Sequence, residues 1–245
     1  MKRRIPILML MVGFFLTASA FGQDNDFLTD YSLLAPHDGK YVHRRYFDDN
    51  LLRKMADFNA VFVDQPEIFI AADSKYKGAK GDQLKALADV ARLATMERLE
   101  ANGYTIATEP GPNTLYFRWA ITDLYLQKKK RGILSYTPVG MVVHATTQAA
   151  VRDLWKKIDI AELSVEAEFS DFVTGEILAA AVSGQVGLRK AKGQKADLVS
   201  WQELDALFLT VGERLSCILD AANTPESEWR ACAEIWIEAE APEEK

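Results

Sequence analysis

The sequence predicts an α+β fold, a mostly antiparallel sheet with helices packed on one face, and three observations lead to it. Ala161, Leu163, Val165, Ala167 and Phe169 alternate with Glu162, Ser164, Glu166, Glu168 and Ser170, the period-two pattern of a strand with one face on a core and the other in water. Leu115, Phe117, Trp119 and Ile121 alternate in the same way with Tyr116, Arg118, Ala120 and Thr122. Residues 82–101 and 201–218 instead repeat apolar side chains every three or four positions, the period of a helix with one buried stripe. A strand, a helix, several antiparallel strands and then helices is the order of an α+β domain.

The first twenty residues have the form of a signal peptide. Lys2, Arg3 and Arg4 make a positive start, Ile5 to Leu16 is an apolar run, and Ala18-Ser19-Ala20 is a small-x-small cleavage pattern. Cleavage is expected after Ala20, with Ala20-Phe21-Gly22 as the second choice. An uncleaved anchor is the rival reading, but the run is short for a membrane span. No cysteine lies near the cleavage point, so there is no thiol to acylate. Removal of this segment takes three of the 29 basic side chains and none of the 35 acidic ones, moving the formal charge from −6 to −9. Such a field repels nucleic acid and anionic head groups on average. No later stretch is long and apolar enough to cross a bilayer. The expected location is the periplasm or the secreted fraction.

Residues 21–59 are expected to form an irregular lead-in, with a turn at Pro36-His37-Asp38-Gly39 and a short helix at Leu51–Phe58. An α+β domain is expected over 60–220. It opens with an edge or bulged strand from Ala60 to Ala71, because Pro66 lacks a donor for the ladder. Asp82 is placed to cap the 82–101 helix, and Asn102-Gly103 to end it. A short strand is expected at Thr105–Ala107 and a turn at Pro110–Asn113. After the strand from Leu115, Lys128-Lys129-Lys130-Arg131-Gly132 is expected to be a hairpin tip and Ile133–Ala145 the returning strand. Thr174-Gly175 turns the 161–170 strand into its partner at Ile177–Val186. Ser200-Trp201-Gln202-Glu203 is a capping box before Trp201, Leu204, Phe208, Val211, Leu215 and Ile218. A last helix is expected from Thr224-Pro225, with Trp229, Cys232, Ala233 and Trp236 on its apolar side. An acidic tail follows within 221–245.

Cys217 and Cys232 are the two cysteines. In an oxidising compartment a disulfide is favoured over two buried thiols. It would close a loop of about 16 residues, worth roughly 3 kcal/mol, and staple the last two helices together.

Phe27-Leu28-Thr29-Asp30-Tyr31-Ser32-Leu33-Leu34, the Gly111–Leu124 segment, and Asp171–Glu176 with Ile177–Ala180 resemble, in this order, three motifs of a bacterial group of exported, often lipoprotein-like proteins, domain of unknown function 3313. The resemblance implies an envelope location and an α+β body, and no activity. The chain departs from it in lacking a cysteine for lipidation.

The candidate chemistry is sparse. Asp171 and Glu176 fit hairpin-turn bonding better than an acid/base pair. Asp123 is expected on the strand side of Trp119 and Ile121, and with Arg118 and His144 it forms the only speculative pocket set. His37, His43 and His144 have no ligand spacing, and neither cysteine sits in a nucleophile setting. Gly78-Ala79-Lys80-Gly81 lacks the phosphate-loop ending. No cofactor is implied. Arg44 and Arg45, Lys128, Lys129, Lys130 and Arg131, and Arg189–Lys195 are basic patches in expected loops, suited to an acidic partner. The expectation is an exported envelope protein acting as a non-enzymatic binding or assembly-accessory module with a protein partner. The alternative is a periplasmic hydrolase-like enzyme whose groups come from distant segments.

Overall fold

The computed structural model describes residues 26–128, 158–184, 199, 201–228 and 231–237. The signal-like segment, the hairpin tip beyond Lys128, the expected 133–145 strand with His144, the 189–195 loop, Ser200, Trp229 and the acidic tail lie outside them.

The fold is α+β. Seven strands form one open sheet: β1 (Ala35–Pro36), β2 (Val42–Phe47), β3 (Ala60–Val63), β4 (Glu67–Ile70), β5 (Thr114–Lys128), β6 (Ile158–Asp171) and β7 (Ile177–Ser183). Their order is β1-β2-β7-β6-β5-β3, with β4 also pairing β5. Among the described residues three helices accompany them: α1 (Leu51–Met55), α2 (Gly81–Ala101) and α3 (Trp201–Ala221). All pairings are antiparallel except those of β3 and β4, which both run parallel to β5.

Pro66 divides the expected Ala60–Ala71 strand in two. β3 pairs Thr114–Phe117 and β4 pairs Ala120–Leu124, one after the other along the same edge of β5. The break falls at the residue without an N–H. The expected short strand near Thr105 is a single bridge, Val61 to Ile106.

On β5, Leu115, Phe117, Trp119 and Ile121 are buried on the helix side as their alternation requires. Phe117 stacks on Phe169 of β6 at 4.8 Å, and Trp119 meets Phe208 of α3 edge-on at 6.1 Å. The alternation then inverts. Asp123 has φ +50, a conformation that aspartate tolerates better than most residues. The register against β4 and β6 slips there. This bulge turns Leu124 and Leu126 to the core, so Asp123 does not continue the Trp119 and Ile121 side as strict alternation implied.

The N-cap of α2 stands two residues earlier than expected. Lys80 is its N-cap, the Gln83 side chain accepts from the Lys80 N–H at 3.1 Å, and Asp82 lies within the first turn. There the carboxylate complements the positive end of the helix dipole without capping it. Gly103, at φ +88, closes the other end, and Tyr104 N–H returns to the Leu99 carbonyl at 3.0 Å. α2 packs closely on α3 at Gly212, where a Cβ would stand 2.8 Å from Arg98 Cβ and 3.0 Å from the Thr95 carbonyl. Arg98 Nε to Glu213 Oε2 at 2.7 Å and Asn102 to Ser216 Oγ at 2.9 Å flank this contact.

Two segments, residues 35–47 and 226–237, depart from expectation. The lead-in is not irregular: β2 pairs β7 over Val42–Phe47, and so Arg44 and Arg45 sit in a strand rather than a loop. The last helix is replaced by 3-10 turns at Glu226–Glu228 and Cys232–Glu234. The Cys217–Cys232 disulfide forms as expected, with Cα atoms 5.6 Å apart. Beyond it the backbone bonds sideways to α3, since Arg214 Nε donates to the Ile235 carbonyl at 2.9 Å and Ile237 N–H to Thr210 Oγ1 at 3.0 Å. Groups used this way cannot close helical turns of their own.

Gly212→Ala should lower stability by about 1–3 kcal/mol through overpacking at the α2–α3 contact. Denaturant melting checks this; a neutral result would show that the two backbones can part without cost.

Candidate functional site

The polar side of β6 is not in water. Glu162, Ser164, Glu166, Glu168 and Ser170 are all buried, Glu166 and Glu168 at 2% exposure. β6 lies inside the sheet, and residues 27–34 cross this face as a strap. Phe27 and Leu28 are buried there with Ala120 and Ala180, and Tyr31, Leu34, Tyr46 and Phe69 pack around them. The strap supplies what buried carboxylates require. Thr29 donates to Glu168 through its N–H at 2.9 Å and its hydroxyl at 2.8 Å. The Tyr31 hydroxyl donates to Glu166 and accepts the Phe27 N–H at 3.1 Å. Arg118 donates to the Phe27 carbonyl, covers the Phe27 ring at 4.5 Å and approaches Glu168 at 3.9 Å. Arg44 donates to the Tyr31 carbonyl at 3.3 Å.

This accounts for two of the sequence suspects. Arg118 holds the strap and Glu168, five residues and a bulge from Asp123 along β5. Asp171 binds its own turn, accepting from Val173 N–H at 2.7 Å and Thr174 N–H at 3.1 Å, with Gly175 at φ +71. Glu176 pairs with Lys54 of the α1 helix at 2.8 Å. His37 Nε2 lies 3.7 Å from Glu234, His43 is exposed on β2, and Lys128 is exposed at the end of β5. Among the described residues no three His, Cys, Asp or Glu side chains group as a metal site, and no helix is long and apolar enough to cross a membrane.

The opposite side of the sheet holds a cavity of about 570 Å³ between β6–β7–β2 and α3, within the usual range of small-molecule sites. Its origin is the small side chains of β7. Ala179, Ala181 and Ser183 face Leu207, Val211, Leu215 and Ile218 of α3 across a space they do not fill. Tyr41, Trp236 and the disulfide at Cys232 close one end, and the exposed Lys40 and Phe47 bring the cavity to the surface along β2. Arg45 also lines it, its guanidinium 5.3 Å from the Phe47 ring.

Arg214 is the polar group that matters most here. Its Nε is taken by the Ile235 carbonyl, its guanidinium lies 5.6 Å from the Tyr41 ring, and Tyr41 in turn stacks on Trp236 at 4.8 Å. Nη2 is buried without a hydrogen-bond partner among the described residues. Burial pushes the guanidinium down to about 10, against the pull of Glu234, so it is still charged at neutral pH. Sequence reasoning passed over Arg214, although it stands on the apolar stripe between Val211 and Ile218 at helical spacing. It also passed over the alanines of β7, whose lack of bulk opposite a leucine-rich helix face is the signature of an unfilled space.

On the strap side, burial first and the bond to Glu166 second push the Tyr31 phenol up to about 12; burial first and the bond to Asp64 do the same for Tyr116. Both values lie above the ordinary phenol value, so the stability these groups lend is complete below pH ~10. It is lost as pH rises through about 12. Alkaline melting curves should show this loss, and Tyr31→Phe should cost roughly 1.5–3 kcal/mol at neutral pH, the value of a hydrogen bond to a charged group. Unchanged melting of Tyr31→Phe would remove the strap from the stability argument.

Comparisons with known proteins bear on family and not on activity. The PelC dodecamer from Paraburkholderia phytofirmans is 12% identical, with 65% of this chain and 88% of that chain covered and a TM-score of 0.32. A DUF4136 family protein from Bacteroides thetaiotaomicron is 15% identical, covering 76% of this chain and 94% of that chain at a TM-score of 0.28. No curated protein matches the sequence. Residues 23–215 match the family described as "Protein of unknown function (DUF3313)", and the chain belongs to that family.

Proposed function

We propose that this protein is an exported, non-enzymatic binding module of the cell envelope and that its binding element is the cavity between β7, β2 and α3. The observation that carries the reading is the cavity itself, an apolar space built by small residues on one wall and closed by a disulfide. The signal-like start, with its small-x-small pattern at Ala18 and Ala20, supports export, and a disulfide suits an oxidising compartment. Against the hydrolase-like alternative stand the contacts of Arg118, spent on the strap and on Glu168. A binding module of this kind passes its ligand to, or presents it with, an envelope partner.

Three measurements test this. N-terminal sequencing of protein recovered from cells should show a chain starting at Phe21, or at Gln23 for the second cleavage choice; a chain retaining Met1 removes the soluble exported form. A neutral solvatochromic dye such as Nile red should bind saturably, and Ala181→Phe, which fills the cavity from β7, should abolish binding while the fold melts as before. Equal binding by Ala181→Phe would place the dye elsewhere. The double variant Cys217→Ser, Cys232→Ser should lose roughly 3 kcal/mol of stability and weaken dye binding, because the segment carrying Ala233 and Trp236 is then no longer tied to α3.

A further inference from the structure

We infer that the occupant of the cavity is a single-chain anionic amphiphile, its hydrocarbon chain lying along the slot between β7 and α3 and its acidic head on Arg214. This rests on the binding reading above and adds the chemical class of the ligand.

The shape argues for a chain. The cavity is lined by β2 from Val42 to Phe47 and by β7 from Ala179 to Ser183. A strand advances roughly 3.3 Å per residue, so this lining extends along five to six residues of strand, on the order of 17–20 Å. The walls between the cations are mostly alanine, leucine, valine, isoleucine and phenylalanine side chains, which offer apolar contact along the slot.

The charge argues for an anion. Arg214 lines the cavity as a cation, its Nη2 enclosed in the wall without a partner among the described residues. A carboxylate or phosphate oxygen is the strongest complement of a guanidinium. Lys40 lies at the same end, its ammonium 4.7 Å from the Tyr41 ring whose stack with Trp236 closes the slot. Arg45 adds a third cation to the lining. The carboxylate at this end is Glu234, which accepts the Lys40 N–H at 3.2 Å and faces His37 at 3.7 Å. Its charge offsets part of the pull on an anion, but Arg214, Lys40 and Arg45 on the lining outnumber it among the described residues.

The test uses the full chain after removal of co-purified lipid. Oleate, oleyl alcohol and oleylamine compete with bound Nile red. Oleate should displace the dye at about 10-fold lower concentration than the alcohol, with oleylamine the weakest. Within a series of saturated fatty acids, affinity should rise about fourfold per added methylene until the slot is full. Arg214→Gln should bring oleate to the level of the alcohol, both scored against that variant's own Nile red affinity, and Arg214→Lys should keep the preference for oleate. Oleoyl lysophosphatidate, run in parallel, tells a phosphate head from a free fatty acid by which of the two binds more tightly. Equal displacement by oleate and the alcohol, or a preference for the amine, overturns the inference while the apolar-binding reading stands. Failure of Nile red itself to bind overturns both. Should Arg214→Gln fail to fold, the comparison of oleate with the alcohol on the unaltered chain decides the matter alone.

Discussion

The structure depends on burying the carboxylates of β6. This strand pairs along both edges with β5 and β7, and both its faces are covered as well: one by the apolar core under the helices, the other by the strap at residues 27–34. A glutamate taken out of water is tolerable only when donors surround it. Thr29, Tyr31 and Arg118 supply those donors from the strap and from β5. The strap is thereby fixed in register by polar bonds, while Phe27 and Leu28 give it apolar area to bury. The motif from Phe27 to Leu34 is thus an integral layer of the domain, and its polar residues and its apolar residues answer different requirements of the same face.

The helix side shows the opposite economy. β5 presents large side chains to the helices, and the core closes around Trp119 and Phe208. β7 presents alanines and a serine, and there the same α3 face meets a void. Interiors are ordinarily filled to the density of organic crystals, and empty space in a core lowers stability. The cavity reaches the surface along β2, and the disulfide and the Tyr41–Trp236 stack lie in its lining. The disulfide matters in that account because it holds the Cys232–Trp236 segment against α3, where a free helix would have turned its side chains elsewhere.

Much of the fold could be read from the residues, for a physical reason. Period-two alternation over 115–121 and 161–169 and helical period over 82–101 and 204–218 survive because burial on the helix side is strong and continuous. Three things did not show. The polar residues of β6 read as solvent-facing, since alternation reports that two faces differ and not that the polar one is covered. The bulge at Asp123 inverted the pattern locally, and an inserted residue carries no hydrophobic signal of its own. The final segment has helical spacing at Cys232, Ala233 and Trp236, yet its backbone groups are captured by Arg214 and Thr210. The cavity escaped because sequence patterns register bulk that is present, while an alanine run in a strand registers as neither strongly apolar nor polar.

β2 joins the two sides of the molecule. Successive residues of a strand point to opposite faces, and so Arg44 reaches the strap at the Tyr31 carbonyl while Arg45 lines the cavity. The pair was visible in the sequence as a basic patch, but a patch implies a shared direction, and the strand divides it. The strand that lines the proposed binding cavity is therefore the one that also anchors the strap. Among the described residues β2 hangs on the sheet through β7 and carries only the two-residue β1 beyond it, so of the longer strands it has the least support on its outer side. If any part of the domain relays occupancy of the cavity to the far surface, the physical route runs through this strand.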